Sequence, residues 1–276
     1  MLRIIGAPYG SQGQYLKSLL VNGKLAWVLM EIISPVVYIS TIASFLELPE
    51  SPSTSLPLFS FSNILSIPKA LIHEIYARAG SNGSLQLVLI TMWLTHYLHR
   101  AIIYPLSQKS RAPMHVGIML LGIGFNLLNG FVNGYWVGSS FQQTNTTTSN
   151  NASDLHFIIG VAVFTMGFIG NIYHDHILVS LRKNKDNKSD NSKQQQRYFI
   201  PHGGLFGLVS CPHYLCEVVE WVGYWVATGL SSRPAILFAI STFSVLCPRA
   251  LEIHEWYKNT FKEYPKNRKA IVPFLI

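Results

Sequence analysis

The sequence predicts an all-α protein, a polytopic transmembrane helical bundle of six spans with a seventh left open. Three observations predict it. Of 276 residues, 49% are hydrophobic and 12% charged, against the roughly 25% charged that is usual for soluble domains; the mean hydropathy is +0.27. Six stretches, 25–46, 85–106, 114–137, 156–181, 205–230 and 234–256, have the length and composition of membrane-crossing helices. Finally, basic loops and glycosylation sequons fall on opposite sides once six spans are counted.

Taken in order, residues 1–24 carry Arg3, Lys17 and Lys24 and no acid, and lack the apolar run of a signal peptide. They read as a cytosolic N-terminal loop. The segment 47–84 is rich in Ser and Pro and ends in a short amphipathic piece, ALIHEIYARAG, which suits an interfacial or re-entrant helix. The second span leads into a loop with Lys109 and Arg111. The third, HVGIMLLGIGFNLLNGFVNGYWV, is the cleanest. Residues 138–154 have no basic residue but hold the sequons at Asn145 and Asn151, and a further sequon stands at Asn82. The loop 182–203 has six basic residues against two acids, and its stretch 184–197 is polar and of low complexity. Positive loops face the cytosol, so both termini are expected there. The net charge of +8 fits such loops, or an anionic cofactor, better than nucleic-acid binding, and none is expected.

Within the spans three polar stripes stand out. Trp93, Tyr97, Arg100 and Tyr104 fall at i, i+4, i+7 and i+11, as do Asn171, Asp175, Leu178 and Arg182, and His213, Glu217, Glu220 and Tyr224. At about 3.6 residues per turn each set shares one helix face. A charged residue at mid-span costs about 2.5–3.5 kcal/mol on insertion scales. Three such faces therefore imply a polar interior within the bundle.

Other chemistries find little support. Gly122-Ile-Gly124 begins like a dinucleotide fingerprint but has Leu127 where the third glycine belongs, and Gly203-Gly204-Leu-Phe-Gly207 follows no predicted strand. His96-x-x-His99 and His174-Asp-His176 have ligand-like spacing but no adjacent pair, and no metal is expected. Cys211, Cys216 and Cys247 form no C-x-x-C pair and read as small core residues.

Several blocks resemble the steroid 5α-reductase family of membrane enzymes. They are IPHGGLFGLVSCPHYLCEVVEWVGYWVATG (200–229) and HEWYKNTFKEYPKNRKAIVPFLI (254–276), preceded in order by APYG (7–10), LAWVLME (25–31), THYLHRAIIYP (95–105), FNLLNGFVNGYW (125–136) and GNIYHDHILVSLRK (170–183). The resemblance implies NADPH-dependent reduction of the C=C bond of an α,β-unsaturated ketone in the endoplasmic reticulum membrane, with a 3-oxo-Δ4-steroid or another lipid enone as substrate. It implies that Glu31 and Tyr97 hold the enone carbonyl, that Trp27 stacks against a flat substrate, and that Asn171, Asp175, Arg182, Tyr198, His213, Glu217, Arg249, His254 and Tyr257 line the cofactor cavity. Arg100, Tyr104 and Arg111 join that set, the arginines as phosphate partners with suitable fork geometry. The chemistry needs a donor pair, because negative charge builds on the carbonyl oxygen as hydride adds to the β-carbon. A carboxyl group in an apolar span stays protonated and can donate.

The same resemblance divides the chain into the N-terminal loop 1–24, a transmembrane reductase domain 25–256 with the insertion 184–197, and a cytosolic tail 257–276 that completes the cofactor site. It also marks departures. The family's first spanning helix, upstream of APYG, is expected but missing here. Met30 stands where some members have Gln, His213 where many have Asn, and 47–84 is longer than in compact members. Alternative readings are a trans-2-enoyl-CoA or polyprenal-type reductase, a membrane methyltransferase with Pro212-His-Tyr214 as its signature, and a non-catalytic membrane scaffold.

Overall fold

The computed structural model describes residues 19–46, 83–141, 151–186 and 199–276, with backbone alone for 46, 83–84, 151–153 and 182–186. The expected interfacial helix in 47–84, the APYG loop and most of the 184–197 insertion lie outside these residues. The chain divides into two compact units, Met1–Thr146 and Thr147–Ile276.

In the first unit, β1 (Leu20–Val21) leads into α1 (Gly23–Leu46), and α2 (Gly83–Tyr97) runs on through a π-helical turn, Leu98–Ile103, into α3 (Tyr104–Ser107). β2 (Met114–His115) pairs antiparallel with β1, Leu20 opposite His115, and α4 (Val116–Ser140) follows. Asn22 starts α1, its side chain accepting from the backbone N–H groups of Lys24 and Leu25 at 3.0 and 3.1 Å. His115 caps α4 in the same way, accepting from Gly117 N at 3.1 Å.

The α1–α4 contact depends on missing side chains. A Cβ at Gly130 would stand 2.5 Å from the carbonyl oxygen of Ser34, and one at Gly134 would stand 2.6 Å from that of Tyr38. Spaced four apart, these glycines let two backbones meet, the usual device where helices pack in lipid without a hydrophobic driving force between them. Tyr38 of α1 in turn stacks on Trp93 of α2, ring centroids 4.6 Å apart.

The second unit holds α5 (Asn151–Asp186), a 3-10 turn at Gly204–Gly207, α6 (Pro212–Ala227) and α7 (Arg233–Thr260). Here Gly160, Gly167 and Gly223 bring α5 and α6 backbone to backbone. Ser232 caps α7 by accepting from Ala235 N at 3.2 Å. The tail after α7 folds back along 208–211. Ser210 N donates to Lys269 O, Cys211 N to Ala270 O and Lys269 N to Leu208 O, at 2.8, 3.0 and 2.9 Å. Buried Arg268 fastens the same return, its Nη1 donating to Pro201 O at 3.1 Å.

The predicted helical membrane architecture holds. Among the described residues four stretches, Gly23–Phe45, Val116–Ser140, Asp154–Leu181 and Arg233–Thr260, are long and apolar enough to cross a membrane. The other two expected spans take different forms. The stretch 85–106 is helical throughout but changes pitch at the π turn. The stretch 205–230 yields α6 of only 16 residues, about 24 Å long, because 204–207 form a 3-10 turn and 208–211 bond to the returning tail instead of continuing a helix.

Candidate functional site

Two polar clusters carry the predicted site residues, one in each unit. In the first, Trp27 sits near the start of α1 and is buried. Its indole Nε1–H donates to the backbone oxygen of Arg100 at 3.0 Å. The Arg111 guanidinium lies 3.6 Å from the Trp27 ring centroid and that of Arg100 lies 4.9 Å from it. Arg100 also covers Tyr104 at 5.2 Å, and Tyr104 meets Trp27 edge-on at 6.5 Å. The ring faces attract the cations with about 0.5–2 kcal/mol each as solvent is excluded. The structure thus gathers Arg100, Tyr104 and Arg111 around Trp27, the platform on which they assemble. Gln108 holds the second arginine from behind, accepting from Arg111 Nη1 at 3.4 Å. Planar guanidiniums held on an aromatic face are suited to phosphate groups.

The π turn positions this cluster. Extra residues in a π turn rotate the helix that follows, and such turns recur at functional sites. Arg100 lies inside it and is buried, while Trp93 and Tyr97 on α2 are buried before it. The predicted stripe is therefore buried from Trp93 to Arg100, and Tyr104 after the turn is half-buried.

Tyr97, 2% exposed, has its phenol between two asparagines of α4. The hydroxyl donates to Asn126 Oδ1 and accepts from Asn129 Nδ2, both at 3.4 Å. Asn126 Nδ2 donates in turn to the carbonyl of Met30 at 2.8 Å. Met30 directly precedes Glu31, so one chain of hydrogen bonds ties the Tyr97 phenol to the turn of α1 that carries the carboxyl group. Glu31 is half-buried. Pro35 stands four residues further on inside the helix, where it has no N–H to offer the Glu31 carbonyl. The asparagines were not singled out from sequence. The signal was available: Asn126, Asn129 and Asn133 fall at i, i+3 and i+7 in the cleanest span and are all buried.

In the second cluster, Asn171 on α5 donates from Nδ2 to Glu217 Oε2 on α6 at 3.4 Å, and both residues are buried. Asp175, one turn on, is 2% exposed, and Glu220, one turn beyond Glu217, is fully buried. His213 is half-buried at the start of α6, its ring 4.2 Å from that of Tyr214. Arg249, His254 and Tyr257 follow one another along α7 and are half-buried. Tyr257 stacks on Tyr264 at 5.3 Å, and Ser210 Oγ lies 2.6 Å from both His254 Nδ1 and the Tyr264 hydroxyl. Tyr198 and the side chain of Arg182 lie outside the described residues.

His174, weighed from sequence only as a metal ligand, has both ring nitrogens engaged. Nδ1 lies 2.6 Å from Gly170 O, and Nε2 accepts from Leu205 N at 3.0 Å. It latches the glycine turn to α5. A Cβ at Gly204 would stand 2.6 Å from that Nε2. Cys211 and Cys216 are buried free thiols and Cys247 a partly buried one, as expected of packing residues.

Comparison with known proteins fits this arrangement. The family model for 3-oxo-5-alpha-steroid 4-dehydrogenase matches residues 112–276. An uncharacterized protein of Schizosaccharomyces pombe, C9.08c, is 35% identical over 99% of this chain and 92% of its own length. The steroid 5-alpha-reductase DET2 of Arabidopsis thaliana is 34% identical over 100% and 90%. The 3-oxo-5-alpha-steroid 4-dehydrogenase 1 of Bos taurus is 30% identical, again over 100% and 90%. The chain belongs to the 3-oxo-5-alpha-steroid 4-dehydrogenase family, oxidoreductases that act on CH–CH bonds.

Proposed function

We propose that this protein reduces the C4=C5 bond of a 3-oxo-Δ4-steroid to the 5α-dihydro product with NADPH, as a multi-pass protein of the endoplasmic reticulum membrane. The observation that carries the reading is the hydrogen-bond chain from the Tyr97 phenol through Asn126 to the backbone beside Glu31. It ties the phenol to the turn of α1 that bears Glu31, which supports reading the two side chains as a pair of donors. Two such donors are what an enone carbonyl requires as it takes on charge.

The remaining polar residues fit a dinucleotide phosphate in their chemistry. Arg100 and Arg111 on the Trp27 ring are suited to its phosphates. Asn171, Asp175 and Glu217 offer acceptors and an amide to hydroxyl and carboxamide groups, and His213 on α6 with Arg249, His254 and Tyr257 on α7 complete the proposed set. When bound, the reduced nicotinamide supplies a hydride to the β-carbon of the enone. Glu31 and Tyr97 would donate to the carbonyl oxygen and stabilise the enolate there, and the enolate takes one proton from solvent at its α-carbon to give the saturated ketone. Asn126 and Asn129 hold the phenol oriented until the substrate carbonyl replaces the Asn126 oxygen as its acceptor. Residues 25–256 form the reductase domain, and 257–276 close the cofactor side, which faces the cytosol with both termini.

The test is purified protein supplied with a steroid enone. NADPH is consumed in step with a 5α-dihydro product identified by mass spectrometry, and NADH is spared. Glu31→Gln and Tyr97→Phe each remove turnover and leave NADPH binding in place. Wild-type rates in either variant would end the assignment of that residue.

A further inference from the structure

Ser210 is a hub at which three segments of the chain meet. Its hydroxyl oxygen has three polar neighbours: His254 Nδ1 at 2.6 Å, the Tyr264 hydroxyl at 2.6 Å and the carbonyl oxygen of Lys269 at 3.1 Å. Ser210 and Tyr264 are buried, and His254 is half-buried. The three elements meeting there are the turn before α6, the last stretch of α7 and the returning tail. Tail and turn are already registered by the backbone bonds of Ser210 and Cys211 to Lys269 and Ala270.

Protons decide what this hub does. Three contacts need three protons, and the groups present have one each: the serine hydroxyl, the tyrosine hydroxyl and one imidazole N–H. A carbonyl oxygen only accepts, so the contact with Lys269 uses the proton of Ser210. The Ser210 oxygen then accepts from Tyr264 and from His254. Every other allocation leaves one of the three short contacts without a proton. His254 is therefore protonated on Nδ1, and in the neutral ring its Nε2 carries a lone pair on the opposite edge.

We infer that Ser210 and Tyr264 are positioning residues that fix His254 as its Nδ1–H tautomer, so that Nε2 accepts a hydrogen bond from a donor group of the cofactor, a ribose hydroxyl or the carboxamide, rather than facing a phosphate. The inference rests on the proposed reductase reading, and it assigns a chemical partner to one residue of that site. The stacking of Tyr257 on Tyr264 at 5.3 Å extends the same support to the neighbouring tyrosine.

The experiment uses the full chain in lipid nanodiscs with 15N-labelled histidine, the His254 signals being assigned by their loss in His254→Gln. The wild-type protein is expected to show an unprotonated Nε2 that moves when NADPH is added. Ser210→Ala removes the acceptor for Nδ1–H, mixes the tautomers and weakens NADPH binding about three- to tenfold, the worth of one hydrogen bond, with kcat little changed. Ser210→Thr keeps the hydroxyl and restores both signal and affinity, which a merely space-filling role would not do. A wild-type His254 protonated on Nε2, or a Ser210→Ala protein with wild-type affinity, overturns the inference. So does an Nε2 signal that NADPH leaves unmoved. Failure of the underlying reading is distinct, because the wild-type protein would then not bind NADPH at all.

Discussion

Alanine at Gly167 tests how closely α5 and α6 are locked, and with them the Asn171–Glu217 pair. A Cβ there would lie 2.5 Å from Glu220 N and 2.7 Å from both Cys216 O and Glu220 Cα. All three are backbone atoms, so no side chain can swing aside and the helices must part by roughly 1 Å to reach ordinary contact. Overpacking of this kind costs about 1–3 kcal/mol, while alanine in place of glycine returns up to about 1 kcal/mol of helix propensity. With three backbone contacts this short the overpacking lies at the upper end, about 2–3 kcal/mol, so the net loss is about 1–2 kcal/mol, or roughly 2–8 °C in Tm at the 2–4 °C per kcal/mol expected for this size. The hydrogen bond from Asn171 to Glu217 crosses the same interface at 3.4 Å, and it breaks when α6 is displaced. Gly124 of α4 is the internal control, since a Cβ there meets nothing within 4 Å. Gly124→Ala keeps or slightly raises Tm. Thermal unfolding of both variants in one detergent, followed by tryptophan fluorescence, reads the difference. Equal Tm values, or a Gly167→Ala protein more stable than wild type, would refute the close-packed interface.

Other outcomes follow from the same contacts. Arg111→Lys keeps the charge but loses the planar fork stacked on Trp27, so NADPH affinity measured by titration falls about tenfold and the preference over NADH shrinks. Trp27→Phe keeps the ring and removes the Nε1–H donor to Arg100 O; it lowers stability by about 1 kcal/mol in a denaturation assay and loosens the arginine pair. Asn126→Leu withdraws both the acceptor of the Tyr97 hydroxyl and the donor to Met30 O, and steady-state kinetics show kcat falling while NADPH affinity holds. Arg268→Met leaves the Pro201 carbonyl without its partner in a buried turn, costing about 1–3 kcal/mol in thermal stability.

Much of the architecture was legible because its signals are periodic. Apolar runs of membrane length marked α1, α4, α5 and α7, and the inward stripes at Trp93 to Arg100 and at Glu217 to Tyr224 followed from helical spacing alone. The short α6 was not legible as such, because 205–211 is apolar enough to continue a span and its bonding to the returning tail is a contact between residues far apart in sequence. The π turn was equally hidden, since its six residues, LHRAII, differ in nothing from an ordinary helix. At the site, sequence named the residues of the proposed catalytic and cofactor set but missed the uncharged ones that hold them in place. Asn126, Asn129, Ser210 and Tyr264 carry no charge, and their significance lies in which partners they reach across helices. Trp27 was expected against the substrate; its place under Arg100 and Arg111 depends on a loop, 108–113, whose course no helical period predicts.

The most direct measurement follows NADPH consumption and product formation by the purified full chain given a 3-oxo-Δ4-steroid, with the Glu31→Gln and Tyr97→Phe proteins alongside. One 5α-dihydro steroid formed per NADPH oxidised by the wild type, and none by either variant despite retained NADPH binding, is the predicted result. Reduction that persists undiminished in both variants, or a wild type that binds NADPH and leaves every steroid enone intact, would contradict it.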